Sequence, residues 1–411
     1  MDDKDNLTKQ IIFAMGLGMI VGVSLSFFDH PIIQTYFVDG AFYVGGKVFV
    51  KLLKMLVVPL VLISLICGVM SLSDIKQLGR IGGMTLSFYL LTTAIAITLA
   101  ITAGLIFSPG EGFSLVSESV FEAKTPPPLT EVLINIVPGN PLESMASGKM
   151  LQVIVFAILL GLSINICQAK KIEALCLEAN DVIMKMLTLL MKFAPVGVFC
   201  LMAKVFATLG ADAFIPLIKY FLLVLCCLIF HGLVSYPSLL KLIGGLNPVT
   251  FINKFKQVWV YAFSTASSNA TMPVTLDTVQ KKLGVSNGVA SFSVPLGATI
   301  NMDGTAIMQG VATVFISQVY GVNIDINGYL MVILTATLAS IGTAGVPGVG
   351  LITLAMVLNQ VGLPVEGIGL IIGIDRLLDM VRTAVNVTGD AAVSCIVAKK
   401  EGELDRAVFN S

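Results

Sequence analysis

The sequence predicts an all-α membrane protein, with plain spanning helices in its first two thirds and shorter, polar-broken helices in its last third. Three observations predict it. Of 411 residues, 56% are hydrophobic and only 12% are charged, whereas soluble domains carry about 25% charged residues. Mean hydropathy is +0.93, and apolar runs of membrane-spanning length recur along the chain. The last third adds two glycine- and serine-rich patches, each set between apolar arms too short to cross a bilayer.

Composition also excludes several classes of function. The formal net charge is +0 and no basic run is present that could neutralise a line of phosphates, so nucleic acid is not an expected partner. Seven cysteines (Cys67, Cys167, Cys176, Cys200, Cys226, Cys227, Cys395) fall mostly within apolar runs and form no CxxC pair, which reads as small buried hydrophobes. With only His30 and His231, a zinc site or a serine-histidine-aspartate triad has little raw material, and no enzyme is expected.

The first apolar run, 11–28, ends in Asp29-His30-Pro31 without a small-residue cleavage pattern, so it reads as a first span and not as a cleaved signal. Runs at 44–70, 84–107, 150–166, 184–209 and 214–243 each cross or nearly cross a hydrocarbon core of roughly 30 Å. The segment 129–137, closed by Pro138-Gly139-Asn140-Pro141, is shorter and reads as a partial helix entering the fourth span. Lys76 and Arg80 follow the second span, while Glu111, Glu118 and Glu122 with Lys124 follow the third. The positive-inside rule then places the loop at 76, and with it the amino terminus, in the cytoplasm. Lys281-Lys282 and Lys399-Lys400 join them there if the remainder is two hairpins and two spans. Lys47, Lys51 and Lys54 share a face near the start of the second span and read as snorkelling or helix-contact residues.

The two broken patches lie at 264–273 and 340–348. The arms of the second, 329–338 and 351–358, reach about 15 Å or less at 1.5 Å per residue, half a membrane. Unpaired backbone cannot face lipid, so such tips are buried in protein or line a wet cavity. Two of them in a repeated hairpin-plus-helix unit point to a binding site at mid-membrane. Ordinary loops between short spans are the plainer alternative.

From Asp375 onward the strongest polar residues recur at intervals of four, three, four and four. At 100° per residue, Asp375, Asp379, Arg382, Asn386 and Asp390 fall within roughly 80° of one another on a helix. An ionised residue at the centre of a membrane helix costs on the order of 2.5 to 3.5 kcal/mol, and this face carries four. A structural stripe in which Asp379 and Arg382 merely pair is the alternative to a functional one. A second constellation, Asn301-Met302-Asp303-Gly304-Thr305, lies in an otherwise apolar run. Asn301 and Asp303, two apart, serve one site only if the helix opens there, and the freed carbonyls with amide and carboxylate oxygens would suit Na⁺. A helix cap in a loop is the alternative.

These residues resemble the sodium-coupled glutamate/aspartate transporters, the dicarboxylate/amino acid:cation symporter family, in its prokaryotic form. The resemblance runs from Leu53-Lys54-Met55-Leu56-Val57-Val58-Pro59 onward. It is most specific at Ser267-Ser268, at Asn301 to Thr305, at Gly342-Thr343-Ala344-Gly345-Val346-Pro347-Gly348, and at Asp379 through Asp390. It implies an all-α membrane fold of eight transmembrane helices and two re-entrant helical hairpins, arranged as inverted repeats in an elevator-type transporter. It further implies a homotrimer in the inner cell membrane with both termini cytoplasmic. Helices 1–2 (1–71) and 4–5 (128–211) would form the scaffold and trimer contacts. Helix 3 with its loop (72–127), helix 6 (212–250), hairpin 1 (251–288), broken helix 7 (289–322), hairpin 2 (323–361) and helix 8 with a cytoplasmic tail (362–411) would form the transport domain.

Carried over residue by residue, the resemblance implies that Arg382 clamps the side-chain carboxylate of an acidic amino acid and Asp379 its amino group. Ser267, Ser268, Thr305, Gly345, Val346, Gly350, Thr383 and Asn386 would complete the substrate pocket. One Na⁺ would use Asp390, Asn301 and the carbonyls of Gly297 and Asn386. A second would use carbonyls of Thr299, Ser340, Ile341 and Thr343. A third would use Asp303 and Asn301 with Tyr89, Thr92 and Thr93. If Asp375 and Arg376 cancel, three carboxylates against Arg382 leave two negative charges; an acidic amino acid adds a third, so three Na⁺ would bring the loaded site to neutral.

Some positions depart from the family. Ala266 stands where archaeal members carry arginine and animal members serine, Asn269 replaces a third serine, and Met380 stands where potassium-coupled animal members carry arginine. Potassium counter-transport is therefore not expected, and Arg376 is the residue that could replace the hairpin arginine from across the site. Asp379, Arg382 and Asp390 together favour a sodium-coupled carrier of aspartate or glutamate. A cystine or C4-dicarboxylate symporter, or proton coupling, is the alternative within the family, and a channel or an intramembrane aspartyl protease lies outside it.

Overall fold

Inside a bilayer each peptide group must find its partner within its own segment, which leaves the helix as the form available to a chain of this composition. A computed structural model describes residues 2–28, 30–70, 75–112, 134, 137–209, 214–341, 345 and 347–411. Among them the chain is helical almost throughout, and the one β-bridge joins Val285 to Leu404.

The first helices form one group. α1 (Asp2–Ser26) lies along a later helix of the chain. α2 (Tyr43–Met70) continues directly from a π-helical stretch, Ile33–Phe42. α3 (Ile75–Phe107) is followed in the described residues by the short α4 (Pro141–Ala146). α5 (Met150–Ile166), α6 (Lys170–Met191) and α7 (Ala194–Leu209) complete the first half. α1 packs on α7 at very close range: a Cβ at Gly18 would lie 2.7 Å from Phe199 O, and one at Gly22 2.6 Å from Ala203 O. Small residues four apart let two membrane helices touch backbone to backbone, where dispersion and not water drives association. α2 packs on α5, α6 and α7.

The run 184–209, expected as one span, is two helices. They are bent by 49°, because Pro195 has no N–H to donate and its ring collides with the carbonyl four residues back. The partial helix expected at 129–137 lies outside the described residues, apart from Ile134 and Val137.

The second group begins with α8 (Phe214–Phe230), a π-helical turn (His231–Ser235) and α9 (Tyr236–Leu242), which together make one span. Then come two helical hairpins separated by a broken helix. α10 (Pro248–Thr265) and α11 (Ser268–Lys281) meet at Ala266-Ser267, where Ala266 takes a left-handed φ of 47° and the Ser267 hydroxyl caps α11 through Ala270 N. α12 (Asn287–Ile300) and α13 (Asp303–Val319) are interrupted at Asn301-Met302. α14 (Ile326–Ser340), capped by Asp325, and α15 (Val349–Gln360) form the second hairpin. Its arms, at 15 and 12 residues, are longer than the apolar runs at 329–338 and 351–358 alone, because the Asp325 cap and Asn327 extend the first arm and Asn359-Gln360 the second.

α16 (Ile368–Glu401) has 34 residues, about 51 Å of helix, and packs against α8, α10, α12 and α13. After it, Glu403 O accepts from Ser286 N at 2.9 Å and Asp405 N donates to Gly284 O at 2.7 Å. The closing α17 (Arg406–Asn410) buries Phe409 and offers Val408 O to Lys254 Nζ at 2.6 Å, so the tail is fastened to the base of the first hairpin.

Three stretches among the described residues are long and apolar enough to span a membrane singly: Lys9–Ser26, Arg80–Phe107 and Phe214–Leu242. The bent α6–α7 pair makes a fourth.

The break before α13 depends on Gly304. A Cβ there would sit 2.6 Å from Arg382 O and 2.9 Å from Arg382 Cα. Both neighbours are helix backbone with no rotamer to yield. Gly304→Ala should therefore destabilise the protein by about 1–3 kcal/mol, seen as a lower thermal midpoint in detergent; an unchanged midpoint would show that the two helices have slack.

Candidate substrate and ion site

A five-residue polar face in a membrane protein is affordable only where neighbours cover it, and α16 buries Asp375, Asp379, Arg382, Asn386 and Asp390 together. Arg382, 1% exposed, is held on two sides. Its Nη1 donates to Asp375 Oδ1 at 2.6 Å, and its Nη2 donates to Asp379 Oδ1 at 2.8 Å and to Asp375 Oδ2 at 3.3 Å. Asp375 and Arg376, set against each other in the charge count, also meet other partners: Asp375 takes Arg382, and Arg376 Nη1 lies 3.5 Å from Asp379 Oδ2. Consecutive helical residues diverge by about 100°, whereas residues three or seven apart face the same way, and this crosses the pairs.

The break in the chain between α12 and α13 supplies the opposing wall. Asn301 Nδ2 donates to Asn386 O at 2.9 Å and to Asp390 Oδ1 at 2.8 Å. Gly297 faces the Asp390 carboxylate and the Tyr89 hydroxyl with no room for a Cβ. Gly304 N donates to Asn386 Oδ1 at 2.7 Å, so α16 satisfies the exposed start of α13. Among the described residues, Asn301 Oδ1 and Arg382 Nε are buried with no hydrogen-bond partner, an acceptor and a donor left over.

Asp303, fully buried, gathers three donors. Thr93 Oγ1 reaches its Oδ1 at 2.5 Å, Tyr236 Oη reaches its Oδ2 at 2.6 Å, and His231 Nε2 lies 3.2 Å from Oδ2. Thr92 Oγ1 donates to Tyr89 O at 3.1 Å, Thr93 Oγ1 lies 2.9 Å from the same carbonyl, and Tyr89 Oη donates to Ser293 O at 2.9 Å.

The two hairpin tips meet over this region. Gly345 O accepts from Ser267 Oγ at 2.7 Å and from Asn269 N at 3.2 Å. A Cβ on Gly345 would lie 3.0 Å from Ser268 Cβ and 2.8 Å from Ala298 O, the carbonyl before Thr299. Gly348 N, at the start of α15, points to Asp379 Oδ2 at 3.3 Å. A Cβ on Gly350 would stand 3.3 Å from Arg382 Nη2, Met308 Cε and Thr305 Cγ2 alike, so Thr305 and Gly350 border the guanidinium. Thr383 Oγ1 donates to Asp379 O at 2.8 Å.

Of the residues singled out in the sequence, the structure thus joins Asn301, Asn386, Gly297 and Asp390, and it joins Asp303 to Thr93. Asp379, Arg382, Thr305 and Gly350 adjoin. Ser340 and Ile341 stand where α14 enters the tip, with Ser340 Oγ bonded to Thr337 O at 2.8 Å. Thr343 and Val346 lie outside the described residues.

A buried guanidinium between carboxylates, beside a helix break where Asn301 Oδ1 has no partner among the described residues and beneath the contact of two hairpin tips, is a carrier's arrangement, and comparison with known proteins agrees. Residues 7–400 match the sodium:dicarboxylate symporter family. The chain belongs to that family. It is 36% identical to the proton/glutamate-aspartate symporter of Escherichia coli, over 98% of this chain and 94% of that protein. It is 34% identical to the proton/sodium-glutamate symport protein of Bacillus caldotenax, over 97% and 96% respectively. An excitatory amino acid transporter of Caenorhabditis elegans is 35% identical, over 86% of this chain and 80% of that protein. This member of the sodium:dicarboxylate symporter family is a membrane transporter and not an enzyme.

His231 and Tyr236 are the site neighbours that sequence reasoning missed in this symporter-family chain. Five residues apart, they would diverge by about 140° on a regular α-helix. The π-helical turn His231–Ser235 brings both to Asp303, and such turns recur at functional sites.

Proposed function

We propose that the chain is a secondary active symporter that couples inward Na⁺ movement to uptake of L-aspartate or L-glutamate. The observation that carries this reading is the buried Arg382, whose planar fork is already engaged by two carboxylates that an incoming acidic side chain can replace. Asp379 would receive the ammonium group. Asn386, Thr305, Ser267, Ser268, Val346, Gly345, Gly350 and Thr383 would frame the rest of the substrate. The names of the bacterial relatives, which include proton/glutamate-aspartate and proton/sodium-glutamate symporters, support the substrate class and the cation coupling.

Na⁺ would enter as a substrate at three places. Asp390 with Asn301, Gly297 O and Asn386 O would form one site, Asp303 with Asn301, Tyr89, Thr92 and Thr93 another, and the carbonyls of Thr299, Ser340, Ile341 and Thr343 a third. Asn301 belongs to both of these first two sets, and its buried Oδ1, without a partner among the described residues, supports a cation site there. Neutralising the site matters because a buried charge without a partner is costly to carry through a low-dielectric layer.

The architecture follows the same reading: eight transmembrane helices, two re-entrant hairpins in inverted repeats, and an elevator movement of α3 and α8–α17 against a scaffold of α1, α2 and α5–α7. Leu159, Ile166, Leu175 and Val182 are exposed on α5 and α6, which supports a homotrimer whose contacts and lipid face run along these helices. Both termini would lie in the cytoplasm and the trimer in the inner membrane.

The test is uptake of labelled L-aspartate into proteoliposomes, with and without a sodium gradient and a pH gradient, competed by L-glutamate, succinate and cystine. Sodium-driven accumulation blocked by L-glutamate is expected. No sodium-dependent aspartate uptake would refute the assignment, and uptake driven by the pH gradient alone would replace sodium with the proton. A stoichiometry of one Na⁺ would remove the three-site count.

A further inference from the structure

Arg376 has no part in the function just proposed, yet it stands at the edge of the site. Its Nη1 lies 3.5 Å from Asp379 Oδ2, the oxygen that also faces Gly348 N at 3.3 Å. The other Asp379 oxygen is held by Arg382 at 2.8 Å, and Asp375 takes the rest of the Arg382 fork. Both partners of the Arg376–Asp379 pair retain some exposure, 14% and 12%, whereas the Arg382 side chain has 1%. They border a small cavity closed on the other side by Ile11, Phe49, Ala194 and Val198 of α1, α2 and α7.

The two arginines therefore differ in their hold on Asp379. Charge-assisted hydrogen bonds run to about 2.7–2.9 Å; the Arg382–Asp379 contact, at 2.8 Å, meets that length, while the Arg376–Asp379 contact, at 3.5 Å, is longer. A pair at 3.5 Å on the cavity side is the one that an arriving cation displaces.

We propose that Arg376 is a specificity-determining residue: its guanidinium is the resident counter-charge of Asp379, and the ammonium group of an amino-acid substrate displaces it. The inference rests on the assignment of Asp379 to the substrate's ammonium. Two consequences follow. In the substrate-free site Asp375 and Asp379 are balanced by Arg376 and Arg382, so the substrate's ammonium partner, Asp379, is not left uncompensated when the carrier returns empty. A dicarboxylate lacking an amino group, such as succinate, leaves Arg376 in place and still finds Asp379 satisfied.

The experiment compares full-length wild type, Arg376→Gln and Arg376→Lys in proteoliposomes. Exchange of labelled L-aspartate across the membrane moves only the loaded carrier, while net uptake also requires the empty one to return. In Arg376→Gln, exchange should stay within about twofold of wild type and net uptake should fall about tenfold, the loss expected for one charge-assisted contact. Succinate should also compete with L-aspartate about tenfold less well. Arg376→Lys should restore both. Net uptake and exchange slowed by the same factor, or succinate and L-aspartate affinities shifted together, would show a merely structural role and overturn the proposal. Should Arg376→Gln fail to assemble, a Lys variant with wild-type net uptake still supports the role of charge, and one that exchanges normally but loses net uptake overturns it. A wild type with no sodium-dependent exchange would instead remove the underlying assignment, and this inference with it.

Discussion

Replacing Arg382 by alanine should abolish uptake of acidic substrates while leaving sodium binding far less affected. The side chain is buried, and it bridges Asp375 and Asp379. Breaking a buried ion pair by deleting one partner costs on the order of 3–5 kcal/mol, because the remaining charge stays in a poor solvent. That corresponds to a loss of about 10² to 4 × 10³ in substrate affinity. The sodium groups at Asn301, Asp303 and Asp390 make no hydrogen bond to the guanidinium, so their response should be indirect. Arg382→Lys should recover little, since an ammonium cannot reproduce two parallel contacts. Substrate binding measured by calorimetry, beside sodium-induced thermal stabilisation of the same sample, separates the two effects. Equal losses in both would count against the assigned role of Arg382.

Asp303→Asn should weaken sodium coupling by about 100-fold or more. The carboxylate receives the Thr93 and Tyr236 hydroxyls and faces His231 Nε2. An amide offers one acceptor oxygen and turns an NH₂ towards donors that already point inward, so at least one buried donor loses its partner, at about 1–3 kcal/mol. The lost negative charge adds to this, because the cation would no longer be compensated. Tyr236→Phe should give a smaller effect in the same direction, about three- to tenfold, since it deletes one neutral donor and keeps the charge. The readout is the Na⁺ concentration dependence of aspartate uptake at fixed substrate. An Asn variant with an unaltered sodium curve would place the coupling ion elsewhere.

The parts of the site that could be read from sequence share a physical reason: they violate a local rule in a way that only a site tolerates. Charges at intervals of four and three along an apolar helix reveal the α16 stripe, and Asn301 with Asp303 reveals the break, since residues two apart cannot share a face. Serine, glycine and proline between half-length arms reveal the hairpins. What escaped was set by departures from the ideal period. His231 and Tyr236 escape because the π-helical turn that begins at His231 has no sequence signature of its own. The continuous apolar character of 184–209 conceals the bend at Pro195. The crossing of Asp375 and Arg376 into separate pairs depends on rotamers and helix phase. The docking of 403–411 involves too few residues to show any period.

That docked tail also bears on the order in which the protein can be made. Lys254 holds Val408 O across 154 positions of sequence, and Gly284, with its φ of 71°, accepts Asp405 N from nearly as far. During synthesis α10 and α11 leave the ribosome long before these partners exist, so the base of the first hairpin enters the membrane with its polar groups still waiting. Contacts so distant in sequence close late, because the intervening chain must be ordered first. The contacts at the base of the first hairpin can therefore close only once the residues after α16 have been made, more than a hundred positions downstream.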